Sequence, residues 1–290
     1  MTELPTPTVP PEAYTERYYR ESCMGAQRWE ASDGAAADPL YFHYARLAGV
    51  RPGEVIVDVG CGRGELLVAA LRAGAARAVG VEYSGAALGL ARRTVDAAGL
   101  EGAELHRADA RALPLADATA DVVTMLDVGE HLSAAELARA LAEARRVLRP
   151  GGRLLAHTMP SRTIYTVTYR ALRAAHPRRR GAWPPDPRNE LERAMHVKEQ
   201  SLWSLRRLLR RAGFAHVRVT LGRFVYTDHL PDESARRMVH RLASPPPPAA
   251  LGRADLWARA VRPLGAPTRG GGGGPPGREG DTLSYDAQPR

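Results

Sequence analysis

Cysteine is nearly absent from this chain of 290 residues, occurring only at Cys23 and Cys61. Two thiols cannot build a disulfide framework or a cysteine-based zinc site. Aromatic residues are also sparse, at 6%. No apolar run reaches the roughly 20 residues that span a bilayer. The first residues, MTELPTPTVPPEAY, show no basic stretch followed by an apolar one, so no secretory signal is expected. No internal repeat is visible. These absences describe a reduced, cytoplasmic protein without a membrane span.

Hydrophobic residues make up 44% and charged residues 25%, enough apolar content for a sizeable core. Lys and Arg number 41 against 32 Asp and Glu, a formal net charge of +9. Such an excess can serve a nucleic-acid or anionic partner. The arginines are spread widely, however, as on solvated helix faces, so charge alone does not choose the partner.

Residues 1–12, rich in Pro and Thr, are expected to be disordered, and residues 13–263 to form the folded domain. After a broken helical stretch up to Val50, the runs 55–59, 77–82, 103–108, 121–126 and 152–158 read as strands. The helical patterns ELLVAALRAG, SGAALGLARRTVDAAG and SAAELARALAEARRVLRPGG lie between them and end at glycine. Strands joined by helices of this length imply right-handed βαβ units and a parallel sheet. The rhythm breaks at residues 159–200, a segment too long for a simple connection and expected to be an insertion beside the site. A helix (SLWSLRRLLRRAGF) and a strand (AHVRVTL) follow. Residues 229–253 form a second insertion, with helix-like DESARRMVHRLA. DLWARAVRP (255–263) reads as a last, antiparallel strand, and 264–290 as a flexible Gly/Pro-rich tail.

The turn Asp58-Val59-Gly60-Cys61-Gly62-Arg63-Gly64 leads from a strand into a helix N-terminus, a junction suited to a nucleotide-like ligand. A dinucleotide fingerprint would need its third glycine where Glu65 stands, and no P-loop pattern occurs. A carboxylate at Glu65 would repel a pyrophosphate but tolerate a zwitterionic amino acid, which favours S-adenosylmethionine (SAM) over NAD. Glu82, ending the second strand, can accept two hydrogen bonds from a ribose diol. Asp109-Ala110, after the third, can address an adenine edge.

VIVDVGCGRGE, AVGVEYS, RADARALP, DVVTMLDVGEHL and LRPGGRLLAHTMP together resemble the successive motifs of class I SAM-dependent methyltransferases, near the type-11 group. The match runs from Val55 to Pro160 and is weaker at RRLLRRAGF and DLWARAVRP. The resemblance implies an α/β, three-layer Rossmann-like sandwich with helical cap insertions. Its seven-stranded sheet would be mostly parallel, with the last strand antiparallel. It also implies that Asp58, Gly60 and Gly62 border the methionine part of SAM, with Cys61 and Gly64 of the same turn also at the cofactor, and that Glu82 holds the ribose. Tyr83 would pack beside the adenine, Asp109 and Ala110 would meet its edge, and Asp127 would lie near the methionine amine.

SAM carries the electrophilic methyl, so the protein must align an acceptor and exclude water. A base helps where the acceptor is protonated. His131, with Glu130, is the candidate base or acceptor contact; both follow the fourth strand. His157, Tyr165, Tyr169, His196 and Gln200 could line an acceptor pocket, and Arg178–Arg180 could attract an anion. Tyr14, Tyr18, Tyr19 and Trp29 fit a helical lid over the cofactor. Asp127-x-x-Glu130-His131 with His196 is similar to the acid–acid–His cluster of small-RNA 2′-O-methyltransferases, which suggests a divalent ion. The RNA-binding context is missing, and no metal is expected. A small-molecule methyltransferase of specialised or cell-envelope metabolism, in a possible homodimer, is the favoured expectation. The alternatives are an RNA methyltransferase, which the missing D/N-P-P-[YF] motif and basic–aromatic patches disfavour, and a non-catalytic SAM-binding scaffold.

Overall fold

The structure is a computed structural model that describes residues 4–175, 184–186, 188, 190–222, 237 and 255–264. Three short helices come first: α1 (Glu16–Glu21), α2 (Ala26–Ala31) and α3 (Pro39–Leu47). The alternating region follows as β1 (Val55–Val59), α4 (Glu65–Arg72), β2 (Arg77–Glu82), α5 (Gly85–Ala98), β3 (Ala103–Arg107), β4 (Ala120–Leu126), α6 (Ala134–Val147) and β5 (Leu148–Thr158). The first insertion holds α7 (Tyr169–Ala175) and α8 (Glu190–Met195). α9 (Leu202–Arg211), β6 (Ala215–Leu221) and β7 (Leu256–Val261) complete the described elements.

The seven strands form one sheet in the order β3-β2-β1-β4-β5-β7-β6. β7 runs antiparallel to both of its neighbours, and the other pairings are parallel. The chain is therefore a Rossmann-like α/β sandwich, as the resemblance implies. β1 and β4 are nearly continuous apolar runs because helices cover both sheet faces. Ile56, Val57, Val122 and Val123 are fully buried, each contributing about 1.5–3 kcal/mol of apolar burial. β5 begins earlier than the residues suggest, because Leu148 pairs with Ala120 across a bulge.

Caps fix where the helices start. Ser84 caps α5 by accepting from the Ala87 N–H, and Ser133 with Glu136 forms a capping box on α6. These stops hold the C-terminal ends of β1 to β5 and their following loops at one edge of the sheet. The direction of connection reverses between β1 and β4, the place where open α/β sheets bind ligands.

The N-terminal segment departs from expectation. Residues 4–12 are ordered rather than disordered, and Val9 is buried. The Thr8 N–H and hydroxyl each donate to the Glu136 carboxylate at 2.8 Å. This long-range anchor has no local sequence signal. The expected helix at 232–243, the arginines at 178–180 and the tail from 265 lie outside the described residues, Arg237 apart.

Candidate active site

A cavity of about 460 Å³ opens at the C-terminal edge of the sheet, over β1, β2 and β4. Its floor is the glycine turn. The N–H groups of Gly60 and Cys61 donate to the Val81 carbonyl, and the Gly62 N–H donates to Glu82 at 2.9 Å. Gly60 has φ +77, and a Cβ there would lie 2.4 Å from Val128, so only glycine fits this approach of the two loops. Gly64 shares the positive φ but packs against Ala91 of α5, as the left-handed cap of α4. It shapes the turn without lining the cavity.

Asp58, Gly60, Cys61, Gly62, Glu82, Tyr83, Asp109, Ala110 and Asp127, all expected at the cofactor site, line this one cavity. Asp58 is buried beside Thr124, whose hydroxyl donates to it at 2.7 Å. Burial raises its carboxyl to about 7, the Glu82 charge adds to this, and the Thr124 hydrogen bond opposes it. Glu82 is buried and raised for the same first reason, against the Ser84 and Gly62 N–H groups and the Tyr19 hydroxyl that donate to it.

Glu65 does not face the ligand space. It is buried in an ion pair with Arg63 at 2.6 Å and accepts the Asp38 N–H. The electrostatic preference passes instead to the lining. Asp58, Glu82, Asp127, Glu130 and Glu136 all border the cavity, whereas its arginines, Arg63 and Arg111, are both engaged with carboxylates. Such a surface offers acceptors to a cationic or zwitterionic ligand, while both lining arginines are already engaged and do not serve a pyrophosphate.

Two arginines inside the motifs, to which the sequence reading assigns no role, organise the cavity wall. Arg63 donates to the carbonyls of Tyr19 and Met24, tying α1 and its following turn to the glycine turn. Arg111 holds Asp109 bidentately and also reaches Glu136. Burial opposes ionisation of Glu136, but hydrogen bonds from Ser133 and Thr8 bring it down to about 2. Tyr14, Tyr18 and Tyr19 line the cavity. Trp29 does not; it is buried against α5, donating to Thr94 at 2.7 Å.

The acceptor-side residues divide. His157 does not line the cavity. It is buried between Tyr44 and Trp257, with Nδ1 2.7 Å from Asp127 and Nε2 3.6 Å from Asp255. Burial opposes its charge, but the two carboxylates prevail and push the imidazole up to about 10. Asp127, at φ +54, is correspondingly held low by His157 against the effect of burial. His157 thus positions Asp127 from behind. Tyr165 meets Glu192 at 3.4 Å rather than the cavity. The Tyr169 hydroxyl donates to the Pro184 carbonyl, and buried Gln200 accepts from Ser204 at the start of α9.

Glu130, His131 and His196 do converge on the cavity. The Glu130 carboxylate accepts the Thr158 hydroxyl at 2.7 Å. Burial, then the Asp127 charge, raises it to about 8. Burial lowers both His131 and His196 to about 4. His131 Nδ1 lies 3.0 Å from the Met195 carbonyl, which can only accept, so the proton is assigned to Nδ1 and Nε2 keeps a bare lone pair.

The sheet order, the glycine turn and the acidic cavity define a Rossmann-like α/β domain with a cavity at its switch point. Residues 56–152 match the family described as a methyltransferase domain. Over these residues the chain resembles class I SAM-dependent methyltransferases. A demethylmenaquinone methyltransferase of Thermus thermophilus is 40% identical over 106 residues, covering 36% of this chain and 47% of that one. A probable SAM-dependent methyltransferase of Mycolicibacterium smegmatis is 34% identical over 184 residues, covering 62% and 59%. The chain thus spans about half the length of these curated relatives. In fold, a putative methyltransferase from Bacillus halodurans superposes with a TM-score of 0.53 at 18% identity, covering 77% of this chain and 99% of that one.

Proposed function

We propose that this protein transfers the methyl group of SAM to a small-molecule acceptor. The observation that carries this reading is the separation of carboxylates around the glycine turn. Asp58 and Asp127 stand at one end of the cavity floor, where an amino-acid group would sit. Glu82 stands at the end of β2, in reach of a ribose diol, and Tyr83 with Asp109 and Ala110 borders the place for a flat base. When bound, SAM supplies a methyl group made electrophilic by its sulfonium. The acidic wall favours that positive charge, and Gly60 and Gly62 let the backbone approach it.

The remaining volume is flanked by Tyr14, Glu130, His131, Leu191, Met195 and His196. This apolar end with a few convergent polar groups is the character of a small-molecule site. His131 presents its bare Nε2 as a contact for the acceptor. The acidic lining also disfavours a phosphate backbone, which speaks against an RNA acceptor. A methylated small metabolite agrees with the similarity to the demethylmenaquinone methyltransferase of Thermus. The same reading puts the reaction in the cytoplasm, and a homodimer remains compatible with it.

Calorimetric titration with SAM, followed by labelling of a metabolite extract with methyl-tritiated SAM, tests the proposal. SAM binding with label in small molecules is expected. Label in RNA, or binding without any labelled acceptor, would overturn it in favour of the RNA enzyme or the scaffold. His131→Ala with wild-type SAM affinity and undiminished turnover would remove the role given to His131.

A further inference from the structure

Glu130, His131 and His196 come together from distant parts of the chain. The first two sit on the turn after β4, and His196 directly follows α8 in the insertion. Each offers one ligand atom, and the three atoms lie within 4.8 Å of one another. The meeting is fixed by backbone, since the N–H groups of Val197 and Lys198 both donate to the Glu130 carbonyl, at 2.8 and 3.1 Å. We propose that these three side chains bind one divalent first-row transition-metal ion at the acceptor end of the cavity.

The surroundings of the cluster are those of ligands held ready. A metal-binding imidazole characteristically donates its other ring N–H to a carbonyl or carboxylate. His131 does so through Nδ1 to the Met195 carbonyl, leaving Nε2 for the ion. The Glu130 carboxylate is steadied in the same way by the Thr158 hydroxyl. His196 Nδ1 is buried with no hydrogen-bond partner among the described residues, and a buried polar atom of that kind calls for an explanation. The two imidazoles meet edge to face, with centroids 5.2 Å apart and planes at 77°, so they neither stack nor share a proton in line.

Three ligands at metal–nitrogen distances near 2.1 Å in a tetrahedral set stand about 3.4 Å apart. The present span needs only a modest contraction of side chains already on one wall. Two imidazoles and one carboxylate suit zinc, manganese, cobalt or iron better than magnesium or calcium. Asp127 is held by His157 and is not counted among the ligands. Because all three residues line the cavity, the remaining coordination positions face the acceptor. The class of acceptor this selects, resting on the proposed function, is one with an oxygen donor such as a hydroxyl, enol or carboxylate.

Full-length protein stripped with a chelator and dialysed should take up one Co²⁺ per chain, with visible absorption of a nitrogen- and oxygen-ligated ion. Zn²⁺ should compete for the same site. In ¹⁵N-histidine spectra, Zn²⁺ should move His131 and His196 while leaving His157 in place. His196→Ala should weaken uptake by about a hundredfold or more, beyond the 10–100-fold typical of outer-shell changes, and His196→Gln serves if that variant does not fold. Absence of saturable one-to-one uptake, or an unmoved His131 and His196, overturns the site. SAM titration of the same samples separates the two proposals. Lost metal uptake with intact SAM binding sinks only this one, and the reverse sinks only the methyl-transfer reading.

Discussion

Arg63 Nη2 lies 2.6 Å from Glu65 Oε2, with both side chains shut away from solvent. The pair spans the glycine turn, and the same guanidinium donates to the carbonyls of Tyr19 and Met24. Removing one partner strands a buried charge, which costs about 3–5 kcal/mol. Arg63→Met is therefore expected to lower stability by that order and to weaken SAM binding, because α1 loses its tether. Urea unfolding and calorimetry check both effects. A stability change below about 1 kcal/mol would show the pair to be dispensable.

Gly62→Val should abolish SAM binding while the fold survives. Gly62 has φ +51 and its N–H holds Glu82. A β-branched residue in that conformation costs on the order of 1–3 kcal/mol and puts methyl groups over the cofactor floor. Retained circular dichroism with no calorimetric SAM signal is the expected result.

His157 makes stability depend on pH in a defined direction. Its imidazole is raised to about 10 by Asp127 and Asp255, against about 6.5 in the unfolded chain. The folded state then binds a proton more tightly than the unfolded one. The resulting stabilisation is complete below pH about 6.5 and disappears as pH rises to about 10. Urea midpoints should fall across that window, and the fall should shrink in His157→Gln. A wild-type slope identical to the variant's would refute the assignment.

Thr8→Val should loosen the N-terminal strap. It deletes a hydroxyl hydrogen bond to the Glu136 carboxylate while leaving the Thr8 N–H contact available. Hydrogen bonds to charged groups are worth about 1.5–3 kcal/mol. Faster proteolysis at the N-terminus and weaker SAM binding should accompany a melting temperature lowered by several degrees.

The fold was legible where the signal is local. β1, β2 and β6 coincide with their apolar runs, and Asp58, Glu82, Asp109 and Asp127 fall at strand ends because parallel βαβ units carry their loops to one edge. What could not be read depends on distant partners. His157 looks like a cavity residue until β7 brings Trp257 and Asp255 behind it. Glu65 looks like a ligand contact until Arg63 turns it inward. Trp29 shares its helical spacing with the tyrosines, yet Thr94 on α5 decides that it is core. The Thr8–Glu136 contact joins residues with no sequence pattern between them.

The segment that carries Tyr14, Tyr18, Tyr19 and Met24 lines the same cavity as the glycine turn and is fastened to that turn through Arg63. Under the proposed function, exchange of the bound cofactor is expected to be coupled to movement of this segment, so that variants which loosen the tether exchange SAM faster and hold it less tightly.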